Sequence, residues 1–230
     1  MSNGMKFVAV AALAAGAAVA NAGSVDLAFT GVQNGQSVSV GGSNYTAGHM
    51  KHNVYSGGMV TGTFNSFCIE LGEFANNGVS TYEIVDLELA PDPDLGGMDP
   101  HYSAAQEAAV INVLALAVDA NWIGLDLQLD SGTPQQLAAI QAMIWESLGL
   151  GTSSASDDVM VAGTISHSID YLRNGVGSGS ASNFFALNLR AAVAQGEQDM
   201  LYVVPLPTAA WAGIGMLGLC AGVRSYRRRG

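Results

Sequence analysis

The feature that most constrains the fold is the separation of apolar and charged residues along the chain. Apolar segments at 7–19 and 208–223 lie near its two ends, whereas all 19 acidic residues lie between Asp26 and Asp199. Setting both ends aside leaves about 180 residues, 23–203. That length is enough for one domain with a hydrophobic core of its own.

The first 22 residues have the three parts of a secretory signal peptide. Lys6 supplies a positive charge, the apolar segment 7–19 follows, and Ala20 and Ala22 place small residues before the cleavage point. The apolar segment is too short and too rich in Ala and Gly to span a membrane. We predict a signal helix in 1–22 with cleavage after Ala22, which makes the Sec translocon and signal peptidase partners. A buried N-terminal helix is the alternative.

The other end predicts a transmembrane helix. The 16 residues of 208–223 form a helix of about 24 Å, somewhat shorter than a hydrocarbon core of about 30 Å. Arg224, Arg227, Arg228 and Arg229 follow and can reach the headgroups. Positive charges place this end in the cytoplasm, so the domain lies outside the inner membrane. A buried core helix is again the alternative.

This tail resembles the PEP-CTERM sorting signal of Gram-negative bacteria over 204–230. It has a short proline motif, a hydrophobic helix with an early Trp211, and an arginine-rich end. The motif consists of Val204, Pro205, Leu206 and Pro207. Leu206 stands where that family has Glu. The resemblance implies cleavage near the motif by an exosortase, followed by release or transfer to the cell surface.

Charge excludes one class of partner. The 19 acidic residues of the central domain are accompanied by three basic ones, Lys51, Arg173 and Arg190, which gives this part a formal net charge of −16. Such a surface repels nucleic acid and anionic lipid headgroups. It is typical of a soluble extracellular protein.

The cysteine count singles out one residue. The chain has two cysteines, and Cys220 lies in the tail, so the exported domain holds Cys68 alone. A single cysteine in an oxidising compartment has no intrachain disulfide partner. It is a buried inert thiol, an intermolecular disulfide or a reactive group.

The first half of the domain is predicted to be rich in β-strands. The predicted strands, separated by Gly, Asn and Ser, are 24–30, 37–40, 59–71 and 81–89. In the last of them Val85, Leu87 and Leu89 alternate with acidic residues, as in a half-buried strand.

Helices are predicted in the second half. Ser103 with Gln106, and Thr133 with Gln136, are capping-box patterns before helices of about 104–119 and 134–148. A third helix is predicted near 158–173, 184–193 is helix or strand, and 201–204 is a closing strand. The fold class is therefore α+β: a barrel- or sandwich-like β-rich first half with inserted helices, plus the signal helix and the transmembrane helix.

Two motifs carry the candidate chemistry. Phe67, Cys68 and Ile69 lie late in a predicted strand, and the second helix contains Ile140-Gln141-Ala142-Met143-Ile144-Trp145. Over about 63–150 the chain resembles the thioester domains of Gram-positive surface adhesins, which have an aromatic-Cys-aliphatic motif followed by an aliphatic-Gln-x-x-aliphatic-Trp motif. The resemblance implies an internal thioester between Cys68 and Gln141.

The chemistry of such a bond can be argued independently. A thiolate that attacks a glutamine side chain expels ammonia, but an amide is a poor electrophile, so the two groups must be held in contact. An amine or hydroxyl on a target then attacks the stored acyl group and releases the thiol. The chain acts once, so it is a reagent and not an enzyme. Three apolar side chains are predicted to shield the bond from water: Phe67, Ile144 and Trp145.

Less specific interpretations remain open. Cys68 can be an ordinary buried side chain, Gln141 a solvated helix residue and Trp145 a core residue. The function expected from the sequence is covalent attachment to a surface or matrix polymer; the alternative is a non-covalent structural component of the extracellular matrix. No cofactor is expected.

Two further groups of residues are not predicted to bind a metal ion. His49 and His52 lack a third ligand nearby and are expected at the surface. Asp92, Asp94 and Asp99 lack the spacing of a calcium loop.

Overall fold

The computed structural model describes residues 23–91, 101–151, 153–155 and 162–204. The predicted signal peptide 1–22 and all of the predicted sorting signal after Val204 lie outside these ranges, and so do Asp92, Asp94 and Asp99.

The described residues form one sheet and four helices. The strands are β1 (Ser24–Val40), β2 (Ser43–Ser56), β3 (Met59–Ser66), β4 (Ser80–Val85), β5 (Ser153–Ala155), β6 (Leu189–Val193) and β7 (Met200–Val203). The helices are α1 (Ala104–Asp119), α2 (Pro134–Ser147), α3 (Ala162–Asn174) and α4 (Gly179–Asn188). The α+β class is therefore confirmed for the described part of the chain.

The sheet is antiparallel, with strand order β3-β2-β1-β4-β6-β7. Strand β1 pairs with β2 along one edge, and its other edge pairs first with β4 and then, near its end, with β5. The rings of Phe64 on β3 and Tyr202 on β7 meet edge to face at 5.5 Å. Contact between the two outermost strands makes the sheet a nearly closed, barrel-like structure.

Paired glycines make the first two connections. Gly41 and Gly42 join β1 to β2, and Gly57 and Gly58 join β2 to β3, all four with positive φ. Two-residue hairpin turns of type I′ require positive φ at both central positions, and glycine adopts positive φ without strain. Residues 24–66 therefore form a continuous three-stranded meander. The sequence prediction did not include 43–56 as a strand.

Both predicted capping boxes are present. The Ser103 hydroxyl accepts a hydrogen bond from the Gln106 backbone N–H while the Gln106 side chain accepts one from Ser103. Thr133 and Gln136 repeat the arrangement at α2, with Pro134 in the first turn. Each box satisfies two backbone donors that a helix start would otherwise leave unpaired. These contacts fix where both helices begin.

Helix α2 lies in the centre of the domain. Every residue from Leu137 to Trp145 is buried, because α2 packs on β1 and β2 on one side and on α1 and α3 on the other. A helix that is apolar nearly all round belongs in a core. Gln141 lies in the middle of this stretch with only 1 % of its surface exposed. The interpretation of Gln141 as a solvated residue is therefore wrong.

Three local predictions need correction. The strand predicted at 81–89 ends at Val85; Leu87 is buried in a 3₁₀ turn, and Leu89 is mostly exposed. The segment 184–193 is neither wholly helix nor wholly strand, since α4 ends at Asn188 and β6 begins at the next residue. In addition, α4 begins at Gly179, in the Gly/Ser-rich segment 174–182 where no helix was predicted.

His49 and His52 lie in the interior, and the expectation that they are surface residues is wrong. Both are fully buried on β2, with ring nitrogens that have no partner in regular hydrogen-bond geometry. His49 packs against Phe67, and His52 lies between Phe29 and Phe64. Burial lowers the pKa of each imidazole from 6.5 to about 4, because the charged ring is poorly solvated there.

These histidines should make the fold sensitive to acid. Below pH 6.5 these two histidines bind protons in the unfolded chain, but in the folded chain they stay neutral until about pH 4. The free energy of unfolding therefore falls as the pH decreases through this range. His52→Phe should lower the pH dependence of the unfolding free energy near pH 5 by about 1.4 kcal/mol per pH unit. Denaturant titrations at several pH values measure this slope.

The matched control for this measurement is His167→Phe, since His167 is exposed on α3. This variant should keep the wild-type slope. An unchanged slope in His52→Phe would contradict a neutral buried imidazole at that position.

Candidate functional site

The segment around Cys68 links the two outermost strands. After β3 ends, Phe67, Cys68 and Ile69 continue toward the start of β7, where Cys68 and Met200 form an isolated antiparallel bridge. The Leu201 N–H donates to the Phe67 carbonyl at 2.8 Å, and the Ile69 N–H donates to the Asp199 carbonyl at 3.0 Å. These bonds flank Cys68, whose own N–H and carbonyl are bonded elsewhere.

The Gln141 side chain forms hydrogen bonds with both of these backbone groups of Cys68. The Cys68 N–H donates to Gln141 Oε1 at 2.8 Å, and Gln141 Nε2 donates to the Cys68 carbonyl at 2.7 Å. The side-chain amide thus occupies the place of a neighbouring strand. We call this pair of bonds the Gln141 clamp. It joins a helix and a strand extension that are 73 residues apart in sequence, in a fully buried position.

The rest of the segment is equally well bonded. The Tyr102 hydroxyl donates to the Ile69 carbonyl at 2.5 Å. Backbone polar groups from the Phe67 carbonyl to the Ile69 carbonyl therefore all have partners, which buried backbone groups need. Phe67, Cys68 and Ile69 are each at most 2 % exposed. The segment is a rigid support for the sulfur.

The Cys68 sulfur points toward a different set of groups. It donates to the Glu70 carbonyl, and it accepts hydrogen bonds from the Glu70 N–H at 3.4 Å and from Gln198 Nε2 at 2.8 Å. The Trp145 indole N–H also acts on the thiol, although it does not meet regular hydrogen-bond geometry. The side-chain amide in contact with sulfur is thus that of Gln198, which lies in the turn between β6 and β7.

Burial keeps the sulfur protonated. It raises the pKa of the Cys68 thiol from 9.0 to about 12, and the negative charges of Glu70 and Asp199 act in the same direction. The bonds to Glu70 and the nearby Trp145 partly oppose this shift. A thiol in this state is a poor nucleophile in the resting protein, because the thiolate is the reactive form.

The residues predicted to shield the site are all in the core. Phe67 and Ile144 are fully buried, and Trp145 is 2 % exposed. Trp145 packs against Tyr45, with ring centroids 5.8 Å apart. Cys68 and Gln141, 73 residues apart, are brought into contact, but through the cysteine backbone.

Gln198 is the site residue that sequence reasoning missed. The signal available was its place three residues before the predicted closing strand 201–204. Nothing in that pattern specifies that β7 lies beside the extension of β3, which is a property of the whole sheet. A second glutamine near the sulfur could be found only once the sheet order was known.

The predicted sorting and signal positions lie mostly outside the described residues. Val204 is described and donates its N–H to the Asn188 carbonyl at 2.9 Å. The remaining sorting-motif residues, the four tail arginines, Ala20 and Ala22 are not among the described residues. No helix within the described ranges is both long enough and apolar enough to cross a membrane.

Metal binding finds no support in the described part of the chain. No group of three or more His, Cys, Asp or Glu side chains there lies close enough to hold an ion. His49 and His52 are stacked among separate aromatic rings, as described above.

The Gln141 clamp should be a major source of stability. Gln141→Leu keeps a buried apolar volume but leaves the Cys68 N–H and carbonyl without these partners. Each buried backbone group left unpaired costs about 1–3 kcal/mol, so we expect a loss of about 3 kcal/mol in the free energy of unfolding. Gln135→Leu, on the less buried start of the same helix, should change it by less than about 0.5 kcal/mol. Equal stability of the two variants would show that the clamp is not important.

The contacts of Cys68 are the basis for assigning a function. No family model, no curated protein and no solved structure matches the chain.

Proposed function

We propose that the chain is an exported protein that forms an internal thioester at Cys68 and uses it to attach covalently to amine or hydroxyl groups on a surface or matrix polymer. The observation that carries this proposal is the meeting of one buried cysteine with two glutamine side chains. Gln141 binds its backbone, and the amide nitrogen of Gln198 lies 2.8 Å from its sulfur. One domain thus supplies a nucleophile, an acyl donor and a rigid support.

The contacts favour Gln198 over Gln141 as the acyl donor. The Gln198 carbonyl carbon is one covalent bond away from the nitrogen that touches sulfur. Thioester formation at Gln141 would lose the clamp bond from Gln141 Nε2 to the Cys68 carbonyl, because that nitrogen leaves as ammonia. The sequence motifs predict a thioester between Cys68 and Gln141. In the thioester that we propose between Cys68 and Gln198, Gln141 instead holds the cysteine in position.

The location of the site also supports a stored electrophile. A thioester survives only if water is kept from it, and Phe67, Cys68 and Trp145 are at most 2 % exposed. Gln198 itself is partly exposed, because it lies in the turn between β6 and β7. A target amine can therefore approach the acyl carbon from the side of this turn while the sulfur stays covered.

Export is the second part of the proposal. The signal peptide 1–22 would direct the chain through the Sec translocon, and the tail 204–230 would hold it in the inner membrane with the C-terminus in the cytoplasm. An exosortase would then cleave near Val204 and pass the domain to the cell surface or the medium. A bulky folded domain that ends in β7 directly before this motif is compatible with such cleavage.

A non-covalent matrix protein is the competing candidate. The observation that favours it is the thiol itself: full burial and a pKa raised to about 12 are what an inert core cysteine has. Under this interpretation Gln198 and Gln141 are simply hydrogen-bonding partners.

Mass spectrometry of the purified full-length chain separates the two candidates. Thioester formation removes one ammonia, about 17 Da, and methylamine then adds about 31 Da. The denatured chain should show no alkylatable thiol at Cys68 before methylamine treatment and one afterwards. A mass without the ammonia loss, together with a thiol that reacts on denaturation, supports the inert cysteine instead.

Peptide mapping of the methylamine product identifies the acyl donor. We expect the methylamide on Gln198. Gln198→Ala should abolish the ammonia loss, whereas Gln195→Ala, in the exposed part of the same turn, should not. A methylamide on Gln141, with an unaffected Gln198→Ala variant, would support the sequence-based pair and contradict the structure-based one.

A further inference from the structure

We propose that the apolar cavity beside β7 is a docking site for residues 205–207 of the same chain, so that the proline motif after the domain is held against the folded sheet. Two observations carry this inference: the cavity is lined by Val204, and the segment that follows Val204 is apolar. The docking goes beyond the proposed function and does not depend on the thioester.

The cavity has a volume of about 730 Å³ and lies between the two outermost strands of the sheet. Its walls come from β2, β3, β7 and α4 and from the segment 125–128 that precedes α2. Apolar side chains line it, among them Val54, Phe64, Phe184 and Leu201. Ligand sites in proteins usually have volumes of about 300–1,000 Å³. The cavity is therefore large enough to hold a few side chains.

This cavity exists because β3 and β7 are not paired along their length. The Leu201 N–H donates to the Phe67 carbonyl at 2.8 Å, where the extension of β3 passes the start of β7. The described strands themselves form no ladder with each other, and the rings of Phe64 and Tyr202 meet edge to face instead. Leu125, which also lines the cavity, is 40 % exposed. An apolar occupant would remove such surface from water, which is favourable.

The chain leaves the domain at the wall of this cavity. Tyr202, Val203 and Val204 all line it, and the Asn188 carbonyl accepts the Val204 N–H at 2.9 Å. Residue 205 is therefore attached directly to the wall. A short tether gives a segment an effective concentration of about millimolar. The segment 205–207 thus has an advantage over a second copy of the chain and over any free peptide.

The composition of this segment suits an apolar cavity. Pro205, Leu206 and Pro207 carry no charge, and the two prolines have no backbone N–H. Burial would leave the Leu206 N–H and three carbonyls in need of hydrogen-bond partners. The amide side chains of Asn65 and Gln128, which line the cavity, can donate to and accept from these groups. Residues before proline favour extended backbone, so three residues span about 10 Å, the scale of this cavity.

One consequence of the docking rests on the proposed export. An exosortase that cleaves near Val204 would meet a motif that the folded domain partly covers. Folding of the domain would then make the motif less accessible, and residues 205–207 would have to leave the cavity before cleavage. The docking itself needs only the folded domain and its own chain.

Disulfide trapping in the full-length chain tests the docking. Leu206→Cys is combined with Leu125→Cys at the cavity, and Cys220→Ser removes the other tail thiol. Under mild oxidation of the chain in lipid nanodiscs, we expect a disulfide within one chain, identified by peptide mapping. The matched control combines Leu206→Cys with Val176→Cys. Val176 is 86 % exposed and is not part of the described lining of the cavity, so this pair should oxidise at least about ten-fold more slowly.

A second measurement uses the chain without added cysteines. Leu206→Asp would place a charge in the apolar cavity. It should raise the equilibrium constant for unfolding about ten-fold or more, because the burial of a leucine side chain contributes that much. Thr208→Asp adds the same charge just beyond the segment and should change the constant by less than about three-fold. Denaturant titrations of the full-length variants measure both constants.

Other outcomes overturn the inference. It fails if the two cysteine pairs oxidise at the same rate, or if Leu206→Asp and Thr208→Asp have equal stability. A disulfide that joins two chains of the Leu125→Cys, Leu206→Cys variant would assign the cavity to a second copy. A lipid or detergent molecule found on the wild-type chain by native mass spectrometry, without an intrachain disulfide in the variant, would assign it to a small apolar ligand.

These results are separable from those that test the proposed function. None of the readouts uses the acyl chemistry of Cys68. A wild-type chain without any ammonia loss would contradict the thioester and leave the docking intact, whereas equal oxidation of the two cysteine pairs would contradict the docking alone.

Discussion

The two hydrogen bonds between the Gln141 side chain and the backbone of Cys68 are the interaction on which the rest of the site depends. They satisfy a buried N–H and a buried carbonyl where the sheet offers no further strand, and they do so from the middle of the central helix. Because an unpaired backbone group in a core is costly, helix and strand extension have essentially one relative position. That position also sets where the sulfur lies.

The clamp has a consequence for the neighbouring groups. The main chain of Cys68 is held by α2 on one side and by the start of β7 on the other, and its sulfur contacts the Glu70 backbone and the Gln198 side chain in the turn between β6 and β7. Gln198 and Asp199 lie in that turn. The site thus combines segments from three parts of the chain, and each part is anchored by backbone hydrogen bonds or by a buried helix. Precise placement of this kind is what an unreactive amide requires before it can serve as an acyl donor.

Local signals in the sequence predicted local structure well and the site only in part. The capping residues Ser103 and Thr133 specify the helix starts because their side chains bond to the nearby backbone. The glycine pairs of the first two hairpins are a similar signal, but the prediction used Gly only to separate strands and did not include the strand 43–56 between the two pairs. Gln198 is different, since its closeness to sulfur follows from the order of strands in the sheet. The prediction that His49 and His52 lie at the surface was wrong because aromatic rings from separate parts of the chain pack against them. These rings belong to Phe29, Phe64 and Phe67.

The position of Gln198, 130 residues beyond Cys68 and next to the last described strand, has a bearing on when the site can exist. A chain that is synthesised from its N-terminus presents the cysteine long before the glutamine. Until the final strand has joined the sheet, the sulfur has no such neighbour and the amide is an ordinary solvated side chain. Any bond between them can therefore form only after β7 has been synthesised and has joined the sheet, so a chain that has not yet folded carries no such bond.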